Sequence, residues 1–519
     1  MQLAQTVRRS ARLRPDHPAM IDGDVRHSWR EFEDRVARIA GGLRELGVSD
    51  GDRVALLANN SHRYVEFFFA TVWAGAIAVP VNTRWAAPEI RHALEDSGAR
   101  ILIADPEHAD AALAQRDGGV AIDHLVLAAD AAERREGWVH WEDMAAGERA
   151  EDAHRGFDDV ACLFYTGGTT GRSKGVMLTH ANLVTNSLTG MLNMDVRADS
   201  VHLHTSPLFH VAGGARLFTV TLAGGTHVMN ARFEAGDFLA TIARERVTIT
   251  IIVPTMLNRL VQHPGLEDFD LSSLDLLCYG ASPMPEALLR RAMERMPGVR
   301  FLQSYGMTEL SPVATVLGPE FHTFEGPKAG RTSSAGQPVY NADVMIIGDD
   351  DRPLPDGEIG EVCVRGPMVM KGYWNLPELS AQTLRGGWMH TGDAGYVDAD
   401  GFLFLVDRVK DMIVSGGENV YSVEVEGALY SHPAVAECAV IGVPSEDWGE
   451  AVHAVVVLRP DATVDEAELI AHCRERIARF KCPRTIAFSD AELPKSGPGK
   501  ILKTELRAPH WAGRARGVN

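Results

Sequence analysis

The sequence predicts an α/β protein. It should have a large N-terminal domain of parallel, layered β-α-β units, a β-rich subdomain at that domain's end, and a small α+β domain at the C-terminus. Three observations carry this expectation. Buried-strand patterns alternate with amphipathic-helix patterns through the first hundred residues, short glycine-punctuated strand runs fill 335–406, and the pattern changes again after Asp407. A chain of 519 residues is also too long for a single hydrophobic core. The expected division is 1–407 and 408–519.

The elements follow in order. Ser28 and Glu31 have capping-box spacing. Phe32, Val36, Ile39, Leu43 and Leu46 then recur at helical period, and Gly47 supplies a stop. Residues 53–58 read as a buried strand, about 61–74 as a helix and 77–81 as the next strand. Pro88 opens a helix that Gly98 ends, and 101–103 is a third strand. Such β-α-β repeats imply a parallel sheet covered on both faces. The Ala-, Asp- and Glu-rich stretch 107–155 is weakly patterned and is expected to be peripheral. Residues 344–347 and 361–364 read as strands of the β-rich subdomain, and 439–443 and 454–458 as strands of the tail domain. There Thr463 and Glu466 can cap a helix bearing Leu469, Ile470, Cys473, Ile477 and Phe480.

Composition excludes several functions. Acidic residues number 70 and basic residues 51, a formal charge of −19, which argues against a nucleic-acid surface or docking on anionic lipid. Cys162, Cys278, Cys363, Cys438, Cys473 and Cys482 are scattered singly, without CxxC pairs or zinc spacing, as in a reducing compartment. The N-terminus lacks an apolar signal region. The longest uncharged run, 67–81, is too short to span a bilayer and is broken by Gly75 and Pro80. A cytoplasmic protein with no transmembrane segment and no nucleic-acid partner is expected.

The segment YTGGTTGRSKG, 165–175, is the most informative. Gly167, Gly168 and Gly171 let backbone N–H groups converge on an anion. Thr166, Thr169 and Thr170 add hydroxyl donors, and Lys174 adds a positive charge. Polyphosphate suits that chemistry. An apolar strand, 161–164, leads straight in and order resumes at 175–180, unlike a flexible linker. The pattern is not a Walker A loop, because Arg172 and Ser173 separate Gly171 from Lys174. No G-x-G-x-x-G fingerprint of a dinucleotide oxidoreductase occurs.

Further motifs follow. Gly280-Ala281-Ser282-Pro283 is a turn, and Tyr305-Gly306-Met307-Thr308-Glu309 sets a carboxylate beside a hydroxyl, a donor pair suited to Mg²⁺. Thr391-Gly392-Asp393 precedes Asp407-Arg408-Val409-Lys410-Asp411, and a loop with Gly416 and Gly417 follows. Glycines and prolines surround Lys500 near the C-terminus, which argues for a positioned loop over a solvated basic tail. Pro207-Leu208-Phe209-His210 runs into Gly213-Gly214.

In this order the motifs resemble those of the adenylate-forming superfamily, which comprises acyl-CoA synthetases, firefly-type luciferases and peptide-synthetase adenylation domains. The likeness covers nearly the whole chain. It implies that Thr166 to Lys174, including Gly167, Gly168, Thr169, Thr170 and Gly171, bind the β- and γ-phosphates of ATP. It implies that Glu309 holds Mg²⁺, that Thr308 contacts the α-phosphate, and that Tyr305, Gly306, Gly280, Ala281 and Ser282 lie on the adenine side. Asp393 and Arg408 would reach the ribose. Lys410 would be the hinge of a mobile C-terminal domain, Gly416 and Gly417 would lie beside the pantetheine tunnel of coenzyme A, and Lys500 would be the catalytic lysine. His210 would gate the acyl pocket. Amino-acid-activating members tend to carry Asp there, which lowers the odds of an amino-acid substrate.

The implied activity is acyl-CoA ligation. ATP converts a carboxylic acid to acyl-AMP, and coenzyme A takes the acyl group, releasing AMP and pyrophosphate. Gly213 and Gly214 are expected to leave room for the acyl group. Uncharged surroundings near His210, Gly213, Tyr279, Pro312 and Val313 favour a medium- or long-chain fatty acid. An aryl acid of the ferulate type and a non-CoA acceptor are the alternatives. A homodimer is the default assembly.

Overall fold

The computed structural model describes residues 1–166, 172–282, 284–348, 350–408, 411–415, 418–445, 447–460, 462–495 and 501–512. Among the described residues four sheets account for the strands. One has eight strands, ordered Gly372–Tyr373, Lys174–Thr179, Val160–Thr166, Ile77–Pro80, Arg53–Leu57, Ile101–Ala104, His124–Leu127 and Val139–His140. From Val160–Thr166 onward neighbouring strands run parallel. The second has nine strands, with a parallel centre of Arg300–Gly306, Leu276–Gly280, Ile249–Ile252, Val201–His204, Thr226–Met229 and Pro18–Asp22.

One hydrophobic cluster joins the two sheets through four helices: Trp29–Glu45, His62–Trp73, His180–Met194 and Val211–Ala223. The predicted capping box is present. Ser28 Oγ accepts from the Glu31 amide at 3.3 Å, and the Glu31 carboxylate accepts from the Ser28 amide at 2.8 Å. Gly98 ends its helix at φ 66°, the left-handed region that favours glycine. Phe67, Phe68, Phe69, Phe164 and Phe218 pack ring to ring and supply much of the core between the sheets.

The helix His62–Trp73 also buries a carboxylate. Glu66, fully inaccessible, accepts from Arg35 Nε at 2.5 Å and from Trp141 Nε1 at 2.8 Å, while Arg35 also reaches Glu142 at 2.9 Å. Burial alone would raise the Glu66 carboxyl, but Arg35 more than offsets it and holds it down at about 2. Its contribution to stability is therefore present above the ordinary carboxylate pKa and is lost as pH falls through about 2. Glu66→Ala leaves Arg35 with Glu142 alone and Trp141 Nε1 without its acceptor, and is expected to cost about 3 kcal/mol. Chemical denaturation measures this, and a loss below about 1 kcal/mol would contradict a stabilising role for the buried carboxylate.

Residues 107–155 lie at the edge of the eight-stranded sheet, with most of 130–137 exposed, yet they carry regular structure that their weak patterning does not show. His124–Leu127 and Val139–His140 extend the eight-stranded sheet, and Trp141 is fully buried against Glu66. Low hydrophobic periodicity hid a segment anchored by one aromatic ring and an ion-pair network.

The β-rich subdomain is a four-stranded antiparallel sheet of Asp343–Ile347, Gly360–Arg365, Met389–Val397 and Leu403–Arg408. The C-terminal part has its own five-stranded sheet, including Val435–Ser445 and Gly449–Leu458, and its own core around Val425, Leu429, Val440 and Val456. The helix Glu466–Arg474 is capped by Asp465, whose carboxylate accepts from the Glu468 amide at 2.8 Å. The cap lies two residues beyond the expected Thr463, because a carboxylate there also complements the helix dipole.

Candidate active site

The predicted phosphate loop falls between two paired strands. Val160–Thr166 pairs antiparallel with Lys174–Thr179, and Thr166 stands opposite Lys174 at its base. Gly167, Gly168, Thr169, Thr170 and Gly171 lie outside the described residues. Thr166 and Lys174 line a cavity of about 650 Å³ that also takes in Tyr305, Thr308, Glu309 and His210.

The cavity is assembled where the two large sheets and the β-rich subdomain meet. Arg300–Gly306 brings Tyr305 and Gly306 to its C-terminal end, and the one-turn 3-10 helix Thr308–Leu310 adds Thr308 and Glu309. Gly306 admits no side chain, since a Cβ there would fall 1.7 Å from the Pro312 carbonyl oxygen. A Cβ at Gly280 would likewise fall 2.3 Å from the Ser304 carbonyl oxygen, and Ala281 turns the chain at φ 66°. Both line the cavity, whereas Ser282 is not among its lining residues. Pro283 lies outside the described residues.

Glu309 is only 5% exposed. Its Oε1 accepts from the Tyr373 hydroxyl at 2.8 Å, and Lys174 Nζ sits 4.4 Å from the centre of the Tyr373 ring. Tyr373 therefore links the base of the phosphate loop to the carboxylate through a cation–π contact and a hydrogen bond. Burial, and then the Glu309 charge, push the Tyr373 hydroxyl far above its ordinary pKa, so it remains a donor. Tyr305 donates to Asp393 Oδ2 at 2.7 Å, fixing Asp393 behind the cavity wall beside Thr391 and Gly392. Arg408 is the cross-strand partner of Asp393, which puts the two backbone positions side by side. The Arg408 side chain, Lys410, Gly416, Gly417 and Lys500 lie outside what is described.

At the other end, His210 precedes the helix Val211–Ala223 with extended backbone. Its Nε2 has no hydrogen-bond partner among the described residues. Burial first, and Arg84 second, push the imidazole down to about 3, so it is neutral around pH 7. Pro312 and Val313 line the same region, as expected.

Two expectations about the acyl side fail. A Cβ at Gly213 would meet the Pro207 carbonyl oxygen at 2.6 Å, and one at Gly214 the Leu208 carbonyl oxygen at 2.8 Å and the Phe164 ring at 3.1 Å. These glycines let the helix approach the 206–208 loop and the core, and do not make room for an acyl group. Tyr279 faces away into the core with Leu289 and Ala292, its hydroxyl 3.0 Å from His322 Nε2. Strand alternation gives its neighbour Gly280 to the cavity instead.

The sequence reading missed Tyr373, His390 and Arg216, all on the cavity wall. The Gly372-Tyr373-Trp374 run was a usable signal for the first, but nothing local distinguishes Arg216 from other helix arginines.

A family model described as AMP-binding enzyme matches residues 7–374, and one described as AMP-binding enzyme C-terminal domain matches 424–500. A feruloyl-CoA synthase of Amycolatopsis sp. is 44% identical over 500 residues, covering 96% of this chain and 97% of that protein. A long-chain fatty acid–CoA ligase of Mycobacterium tuberculosis is 36% identical, covering 98% of both. The o-succinylbenzoate CoA synthetase of Bacillus subtilis, solved with its acyl-adenylate intermediate, superposes with a TM-score of 0.84 at 33% identity, covering 96% of this chain and 97% of that one. With Thr166, Lys174, Tyr305 and the buried Glu309 around one cavity, the chain belongs to the AMP-binding enzyme family and is an AMP-forming acyl-CoA synthetase.

Proposed function

We propose that the chain joins an aryl carboxylic acid of the hydroxycinnamate type to coenzyme A, using ATP. The observation that carries this reading is the convergence of Thr166, Lys174, Glu309, Tyr305 and His210 on one cavity. The greater similarity to the feruloyl-CoA synthase than to the long-chain ligase supports an aryl acid over the fatty acid that the uncharged surroundings of His210 favour.

In the first step a carboxylate oxygen of the acid attacks the α-phosphorus of ATP. A new P–O bond forms, the bond to the oxygen bridging the β-phosphate breaks, and pyrophosphate leaves. Thr166, Lys174 and the glycines between them hold the departing phosphates. Thr308 donates to the α-phosphate, and Lys500 bridges the two anions as charge shifts. Glu309, a buried carboxylate next to Thr308 in the chain, would hold Mg²⁺ through the oxygen donors that ion prefers. The ion would add positive charge at the phosphate oxygens.

The proposed division is 1–407, carrying the cavity, and 408–519, carrying Lys500 and turning about Lys410. That turn withdraws Lys500 and brings Gly416 and Gly417 to the site. The sulfur of coenzyme A, its proton lost, attacks the acyl carbon, the C–S bond forms, and AMP leaves with the oxygen it shared. Arg408 and Asp393 hold the ribose through both steps. The proposed compartment is the cytoplasm, supported by six free, buried thiols. No helix among the described residues is long and apolar enough to cross a membrane. A homodimer is the proposed assembly, which light scattering tests.

Thioester formation with ferulate, cinnamate and saturated acids of graded length, with pyrophosphate and AMP followed together, tests the reading. Ferulate-type acids are expected to give the highest kcat/KM. A saturated acid turning over fastest would return the substrate to the fatty-acid class. AMP release that does not require coenzyme A would point to another acceptor.

A further inference from the structure

The acyl end of the cavity contains a cation that no carboxylate among the described residues neutralises. Arg216 lies on the helix Val211–Ala223, is 2% exposed, and lines the cavity. A guanidinium offers five N–H donors and no acceptor. Among the described residues Nη1 reaches only the Met194 thioether, at 3.4 Å, and Nε has no partner. Two titratable groups that face it are neutral. His202 is pushed down to about 3 by burial and then by Arg216, and burial pushes the Cys278 thiol up to about 12. A buried charge left in this state is costly.

The fold nonetheless makes space for it. Gly190, within the helix His180–Met194, is where a Cβ would come within 3.1 Å of Arg216 Nη1 and 3.2 Å of Thr219 Oγ1. A glycine inside a helix itself costs roughly 1 kcal/mol relative to alanine. Ala212 and Arg216, one turn apart, share the face that lines the cavity. Arg216 stands six positions after His210, a rise of about 9 Å along the helix. That is the scale of a cinnamic acid from its carboxyl to its para position.

We infer that Arg216 is a specificity residue. It selects acids that carry an oxygen acceptor, a phenolic hydroxyl or a second carboxylate, at the end remote from the reacting carboxylate. This rests on the reading of the chain as an acyl-CoA synthetase with its acyl pocket along this helix. The bound acceptor takes hydrogen bonds from the guanidinium that the fold leaves unmet, whereas a methyl group or saturated tail leaves the charge stranded.

Three para-substituted cinnamates test this: 4-hydroxycinnamate, 4-carboxycinnamate and the near-isosteric 4-methylcinnamate. The wild-type enzyme is expected to prefer at least one oxygen-bearing acid over the methyl analogue by roughly 10-fold or more in kcat/KM, carried mainly by KM. Which oxygen acid leads tells a neutral from an anionic acceptor. Arg216→Met should lower kcat/KM for the preferred acid by roughly 10- to 100-fold while sparing the methyl analogue, so that the preference closes or inverts. Arg216→Gln, which keeps one donor, should fall between them and serves if the methionine variant does not fold. Equal turnover of the three acids by the wild-type enzyme overturns the inference without any variant, as does a ratio that Arg216→Met and Arg216→Gln leave unchanged. Thioester formation without discrimination removes this inference alone. No thioester from any acid, aliphatic ones included, removes the ligase reading with it.

Discussion

Lys500→Ala is expected to lower acyl-adenylate formation by on the order of 10²-fold or more, while thioester formation from supplied acyl-AMP and coenzyme A changes far less. The asymmetry follows from charge. In the first step a carboxylate approaches a polyphosphate, and a lysine bridging both anions is worth most where negative charge is redistributing, at the transition state. In the second step the acid is already an anhydride of AMP, the attacking sulfur meets a carbonyl carbon, and a cation at the α-phosphate has little left to oppose. Pyrophosphate exchange reads the first step, and release of AMP from synthetic acyl-AMP with coenzyme A reads the second. Equal losses in both assays would mean that Lys500 serves binding or folding in general, and the two-state reading of the C-terminal domain would lose its main support.

The second large effect is on stability, and it comes from histidines. His202, His204 and His227 form a buried stack, with ring centroids 4.4 and 5.1 Å apart. His204 Nε2 and His227 Nδ1 are 3.0 Å apart, and His227 Nε2 is 3.0 Å from the Thr221 hydroxyl. Burial pushes His202 and His227 down to about 3, and burial with two neighbouring imidazoles pushes His204 well below its ordinary value. Arg216, beside His202, opposes protonation further. In the unfolded chain the same imidazoles titrate near their ordinary value of about 6.5.

The sign is therefore fixed. The unfolded state binds more protons between about pH 3 and 6.5, so stability is complete above 6.5 and is lost as pH falls. Moving from about pH 7.5 to 5.5 is expected to cost roughly 1.4 kcal/mol per imidazole, or about 4 kcal/mol for the stack. A domain's whole stability is about 5–15 kcal/mol, so the loss should be conspicuous. In denaturation near pH 5.5 each of these three rings should contribute about one proton to the uptake on unfolding, beside those of His180, His210 and His322, which burial also holds low. His202→Phe should remove one of them. A stability that is flat over the same range would mean that these rings are solvated and charged in the folded protein.

What the sequence determined by itself was the local and repeated part of the protein. The capping box at Ser28, the stop at Gly98, the strand leading into Thr166 and the separate C-terminal sheet follow from short-range patterns that any packing must respect. Tyr305, Thr308 and Glu309, which share one contiguous motif, were legible too as residues that come together, and all three line the cavity. The tertiary structure alone decided which side chains face one another. Tyr373 lies 64 residues beyond Glu309, yet bonds it and carries Lys174 on its ring. Gly213, Gly214 and Tyr279 turned away from the cavity, while Arg216 turned towards it. The physical reason is that a helix or strand pattern specifies a periodicity but not what its faces meet. That is set by close packing of distant segments, where one carbonyl oxygen 2.6 Å from a would-be Cβ decides whether a glycine serves the substrate or the fold.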